Sequence, residues 1–158
     1  MVADLRERIN TAYTEAEEAL WEPGFERIAR ERVVEIVAAG EMAVARAGAR
    51  IVGSVRVRRL DERTGFFGLL AVHPSDQGGG VGRELVRFAE ELSRERGATT
   101  MELRLLVPRE GDDPHKERLH TWYSRLGYRP VGRADFSAAH PDARSRMPLD
   151  ILTYRKRL

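Results

Sequence analysis

Apolar positions recur at spacings of three and four from Ala3 to Leu20, through Leu5, Ile9, Ala12, Tyr13, Ala16 and Leu20. That period predicts a helix with one buried stripe. Pro23 and Gly24, inside "WEPGF", end it. A second helical run, Arg30 to Ala39, carries Val33, Val34, Ile36 and Val37, and Gly40 is its natural cap. From Glu41 the period changes to two. "EMAVARAGARIVGSVRVRRL" reads as two strands about a turn at Ala47–Gly48. In the second, Ile51, Gly53, Val55 and Val57 alternate with Val52, Ser54, Arg56 and Arg58, which predicts one covered face and one partly wet face. "FFGLLAV", after the turn "LDERTG", is apolar throughout, as a central strand covered on both faces would be.

A helical stripe follows through Val81, Leu85, Phe88, Ala89 and Leu92, closed by Gly97. "TTMELRLLV" is a strand, "PREGDDP" a loop, and "HKERLHTWYSRLG" a short helix with Leu119, Trp122 and Leu126 on one side. "YRPVGRADF" and "LDILTYRKRL" read as a closing hairpin with a long connection. Strand, helix and strand in succession predict a parallel pair with a right-handed crossover. The expected fold class is α/β: a mixed sheet, antiparallel in its N-terminal part and parallel at its centre, flanked by helices. One domain is expected over residues 1–158.

Composition narrows the chemistry. The chain has 158 residues, 27 basic and 25 acidic side chains and a formal charge of +2. So weak a basic balance does not by itself argue for nucleic acid. There is no cysteine, which excludes disulfides, thiolate metal sites and a cysteine nucleophile. No metal-ligating set is expected. No apolar run approaches the ~18 residues of a membrane span, and no secretory signal opens the chain. The expected compartment is the cytoplasm, with no membrane partner.

Between the apolar strand and the helix stand Gly78, Gly79, Gly80 and Gly82. A glycine-rich turn there exposes backbone N–H groups, and the helix start adds partial positive charge, which together make a nest for phosphate. A tight turn alone needs one or two glycines. The G-x-x-x-x-G-K-[ST] pattern fails, because Arg83 and Glu84 follow Gly82. G-x-G-x-x-G fails too, since Arg83 and Leu85 are not glycine. What remains is Gln77-x-x-Gly80-x-Gly82. In this setting it resembles the pyrophosphate loop of the GCN5-related N-acetyltransferase (GNAT) family. "TWYSRLGY" is similar to that family's Tyr-x-x-x-Gly-aromatic signature, with Tyr123, Gly127 and Tyr128. The resemblance in strand order runs from about Glu41 to Leu158.

The resemblance implies acetyl-CoA as cosubstrate. The backbone of Gln77, Gly78, Gly79, Gly80, Val81, Gly82 and Arg83 would hold its pyrophosphate. Leu70, Ala71 and Val72 would pair with the pantetheine like an added strand, where the parallel pair splays apart. Arg83 and Arg87, one turn apart, can meet the remaining phosphate or form a solvated helix face. Transfer to an amine of pKa about 10.4 needs a neutral amine, a donor for the oxyanion, such as an N–H near Val72, and a proton for a thiolate whose acid lies near 8.5. Family analogy gives the last role to Tyr123; the other reading of Tyr123 is core packing beside Trp122. With no cysteine, direct attack in a ternary complex is the simpler mechanism.

The base is open. "FFGLLAV" carries no carboxylate, and Asp61, Glu62, Glu102 and His120 are the remaining candidates, while His73 reads as structural. Lys116 stands where many members have an asparagine seven residues before the tyrosine. The resemblance implies a strand before the first helix, yet the helical pattern here begins almost at Met1: either that strand is absent or the start of the sequence lies downstream of it, and the sheet edge so exposed is one that a second copy would cover in a homodimer. The acceptor pocket would come from "WEPGFERIARER" and "ADFSAAHPDARSRMP", with Trp21, Phe25 and Phe136. Arg144 and Arg146 there can attract a carboxylate or be merely solvated. The expected activity is acetyl transfer to a primary amine of a small molecule, amino acid or peptide end. The alternative is a non-catalytic acyl-CoA-binding sensor or interaction module.

Overall fold

The computed structural model describes residues 1–158. Helix α1 (Val2–Glu17) buries Leu5 and Ile9 of its predicted stripe and continues into a 3₁₀ turn at Glu18–Leu20. Helix α2 (Arg30–Ala38) buries Val33 and Ile36. The strands are β1 (Met42–Ala47), β2 (Arg50–Arg59), β3 (Thr64–Val72), β4 (Thr100–Pro108), β5 (Arg129–Asp135) and β6 (Leu149–Arg157). Between them lie α3 (Val81–Glu95), α4 (Pro114–Arg125) and the single turn α5 (Phe136–Ala139). The strands form one six-stranded sheet in the order β1-β2-β3-β4-β6-β5, so β1 and β5 are its edges. Every pairing is antiparallel except β3 with β4. No helix is long and apolar enough to cross a membrane.

The expected alternation in β2 breaks at a bulge. Ala45 and Arg46 of β1 face Gly53 and Ile51, which leaves Val52 as an extra residue. One extra residue turns every later side chain to the other face. Ile51 therefore packs with Leu5, Ile9, Ile28 and Ile36 under α1 and α2, whereas Val55 and Val57 pack with Leu85, Ala89 and Phe67 under α3. The strand has two covered faces in place of one. β3 repeats the device: Ser54 and Arg56 face Ala71 and Gly68, an extra residue on the β3 side. Phe67 thus joins one core and Ala71 the other. A third cluster of Leu20, Trp21, Leu106, Phe136 and Leu149 closes the end where β4 and β6 meet the α1–α2 connection.

Two details of the helices differ from expectation. Phe88 is 46% exposed; the buried stripe of α3 runs instead through Leu85, Val86, Ala89, Glu90 and Ser93. Glu90 is tolerated there because Tyr128 donates to it at 2.8 Å and Lys156 at 3.0 Å. On α4 the buried residues are Lys116 and Tyr123 rather than Leu119, Trp122 and Leu126, which are partly buried.

Candidate active site

The cleft begins where the parallel pair stops. β3 pairs with β4 only over Thr64–Phe66 and Thr100–Glu102. The extra residue in β3 coincides with Leu69, whose φ of +49° makes it the one non-glycine residue in the left-handed region. A bulge bends its strand, and such strain in an apolar side chain persists only where its surroundings hold it. Past this point Leu70, Ala71 and Val72 on one side and Arg104, Leu105 and Leu106 on the other line a cleft of about 610 Å³. Beyond Phe66, the β4-facing backbone edge of β3 has no strand partner.

The turn after β3 is fixed by its own side chains. His73 accepts from the Ser75 amide at 3.2 Å, capping a 3₁₀ turn over Pro74–Asp76, so His73 is structural. Asp76 takes both arms of Arg50 at 2.7 and 2.8 Å, and Gln77 donates its side-chain amide to the Val72 carbonyl at 3.2 Å. Gly78 and Gly80 have φ of +84° and +85°, which explains two of the four glycines by conformation alone. Gly79 and Gly82 do not have positive φ. A Cβ there would meet nothing nearer than 3.7 Å and 3.5 Å, ordinary contact distances. The fold itself does not require glycine at either place.

The amides from Gly78 to Arg83 donate to no acceptor in the protein. The first bonded amide is that of Glu84, to the Gly80 carbonyl at 3.0 Å, and α3 has no side-chain cap. A run of unpaired donors at a helix start is an anion site by construction. Of the loop residues expected to hold the ligand, Gln77, Gly78, Gly80, Val81, Gly82 and Arg83 line the same cleft as Leu70 to Val72, whereas Gly79 does not, although its amide belongs to the same unpaired run. Arg83 forms no ion pair, whereas Arg87 pairs with Glu84 and Glu91 and does not line the cleft. Of the two arginines, only Arg83 is placed to meet a ligand.

Tyr123 is 5% exposed, among the rings of Phe67, Trp122, Tyr128 and Tyr154. It also lines the cleft, and its hydroxyl has no hydrogen bond within the protein. The packing reading of Tyr123 therefore holds, and the cleft also reaches the residue. Burial pushes its pKa far above 10.0, so it stays a hydroxyl donor at every physiological pH.

The charged residues sort differently from expectation. Glu102 is buried between Arg104 and Arg155, each at 3.0 Å, and does not line the cleft. His120 hydrogen-bonds Tyr154 at 2.8 Å, away from it. Asp61 binds the Arg63 amide in its turn, and neither it nor Glu62 reaches the cleft. What the cleft does contain is Glu17, 2% exposed, which receives Lys116 Nζ at 2.5 Å and the Trp21 indole at 3.3 Å, with Arg27 Nε at 3.5 Å. His115 lines it too, and burial first, then Lys116 and Arg118, lower its pKa, so it is a neutral imidazole at pH 7. None of Glu17, Arg27 and His115 was singled out from the sequence. The available signal was a carboxylate four residues after Tyr13 on the apolar stripe of α1.

The two segments assigned to the acceptor side do meet. Trp21 bridges to Ser145, the Arg146 amide donates to the Leu20 carbonyl at 2.8 Å, and Arg146 Nε donates to the Trp21 carbonyl at 2.5 Å. Beside this clasp is a second cavity of about 270 Å³. It shares Tyr13, Glu17 and Arg27 with the main cleft, so these three form the wall between them. Arg146 lines this cavity and Arg144 does not.

A family model described as "Acetyltransferase (GNAT) domain" matches residues 38–130. Solved structures agree in fold. A ribosomal-protein-alanine N-acetyltransferase from Brucella melitensis superposes with a TM-score of 0.68 at 17% identity, over 100% of this chain and 96% of that one. A GNAT family acetyltransferase from Elizabethkingia anophelis with acetyl-CoA bound gives 0.67 at 14% identity, over 88% and 95%. An aminoglycoside 6′-N-acetyltransferase complexed with coenzyme A gives 0.71 at 16% identity, over 99% and 89%. No curated protein sequence matches the chain.

Proposed function

The chain belongs to the GNAT acetyltransferase family, and from that premise we propose that it transfers the acetyl group of acetyl-CoA to a primary amine in a ternary complex. The observation that carries this reading is the continuity of one cleft from the unpaired amides of Gly78–Arg83 to the Tyr123 hydroxyl, along the unpaired edge of β3. The donor set fits the ligand. Amides and Arg83 suit a pyrophosphate, an open strand edge suits the two amides of a pantetheine arm, and glycine at 79 and 82 admits close approach. Relatives of the same fold have been crystallised with acetyl-CoA and with coenzyme A.

Acetyl-CoA supplies an activated acyl carbon: a bond from the amine nitrogen forms, the carbon–sulfur bond breaks, the amine releases one proton and the thiolate takes one up. Tyr123 holds a hydroxyl proton in the cleft, with no competing partner in the protein, for the thiolate. His115 is the neutral proton acceptor among the cleft residues, since Glu17 is tied to Lys116 and Asp76 to Arg50. Lys116, in the place of the asparagine common in the family, is committed to Glu17.

The test is thiol release from acetyl-CoA across a panel of primary amines, with no background because the chain has no cysteine. Tyr123→Phe should lower kcat more than tenfold while acetyl-CoA affinity stays within about twofold. An unchanged kcat removes Tyr123 from the reaction. Tight acetyl-CoA binding without release to any amine would favour the binding-module alternative.

A further inference from the structure

The wall between the two cavities carries charges that do not cancel. Glu17 and Lys116 are both buried, 2% and 7% exposed, and their 2.5 Å contact neutralises both. Arg27 is then left over. Its contact to Glu17 is 3.5 Å and fails hydrogen-bond geometry, and its Nε is buried with no partner. Its guanidinium lies 4.9 Å over the Tyr13 ring, which fixes its direction. Tyr13 cannot supply a negative charge, since burial raises its pKa to about 12. The Arg27 side chain is 28% exposed and only its Nε is withdrawn from water, so a part-buried cation beside a carboxylate already matched by Lys116 favours an added anion.

The other groups facing the small cavity fit the same conclusion. Arg146 lines it with no carboxylate partner, its Nε held by the Trp21 carbonyl. Glu18 and Glu22 also line it, but they are exposed at the rim, where water screens them. His115 and Lys116 belong to the main cleft and do not line this cavity. The floor is apolar: Trp21 and Phe25 stack at 3.9 Å with an interplanar angle of 9°.

We propose that the small cavity is the acceptor subsite for an amine that also carries a carboxylate, with Arg27 as the specificity-determining residue. The carboxylate is held by Arg27, assisted by Arg146, the apolar part lies on Trp21 and Phe25, and the amine points past Tyr13 into the main cleft. An amino acid or short peptide with a free carboxyl group has this chemistry. This inference rests on the acetyltransferase reading.

The experiment measures kcat/KM by thiol release for apolar amino acids and dipeptides, each paired with its own carboxamide. The expected result is a preference of tenfold or more for the carboxylate member. In Arg27→Gln that ratio falls toward one, and Arg27→Lys recovers part of it. Melting curves with acetyl-CoA check that each variant is folded and still binds the donor. A ratio near one in the wild-type chain, a preference that survives Arg27→Gln, or no turnover of any carboxylate-bearing amine while acetyl-CoA still raises the melting temperature would overturn the inference and leave donor binding standing. Absence of that melting shift in the wild-type chain would instead overturn the acetyltransferase reading itself.

Discussion

Each of the four tyrosines has a reason to keep its proton. Tyr13 is raised to about 12, chiefly by burial and against the pull of Arg27. Tyr123 and Tyr154 are raised by burial, and Tyr128 by burial and then by the Glu90 carboxylate it donates to. Every folded pKa lies above the ordinary 10.0, so the unfolded chain gives up its phenolic protons first. The resulting stabilisation is intact below about pH 10 and is lost as pH climbs beyond it. In an alkaline titration, the phenolate absorbance should therefore rise together with loss of the circular dichroism signal. Phenolate appearing near pH 10 in a chain that is still folded would contradict the burial described here. At this scale Tyr123 was legible in the sequence because it sits in a local pattern with Gly127 and Tyr128. Glu17 was not, because its partner Lys116 lies 99 positions away and only the fold brings them together.

The glycine turn separates what the backbone needs from what a ligand needs. Gly78 and Gly80 are required by left-handed conformations, so side chains there act on the fold as well as on binding. Gly79 has neither a positive φ nor a crowded Cβ position. Gly79→Val should leave the melting temperature of the free protein within about 2 °C and weaken acetyl-CoA binding more than tenfold, by calorimetric titration. Wild-type affinity in that variant would mean no phosphate approaches the backbone at this point. A Cβ at Gly80 would meet nothing within 4 Å, so a substitution there is strained for its φ alone. β2 was readable from its period and β3, covered on both faces as expected, from its apolar run, but the faces taken by the residues of β2 were not. A bulge is set by pairing across strands, and alternation along one strand carries no sign of it. The same bulge, at Leu69, opens the cleft, so this part of the site was beyond the sequence pattern.

For the molecule as a whole, the order of elements was readable because each has a strong local signature: heptad-like spacing in α1, apolar runs in β3 and β4, and glycine at the helix ends. The acceptor side was less so. Its two segments, 21–32 and 134–148, form a clasp through backbone bonds such as the Glu22 amide to the Arg144 carbonyl, which composition cannot foretell. One cleft, running from the amides of the turn to Tyr123, is the proposed seat of acetyl-CoA. The most direct measurement is the melting curve with and without acetyl-CoA at about 100 times its Kd. Such a ligand adds about 2.7 kcal/mol, which for a chain of this size is roughly 5 to 10 °C. A rise of that order is expected with acetyl-CoA and with coenzyme A, and none with ATP or NAD. No rise with either coenzyme A species, or an equal rise with ATP, would contradict it.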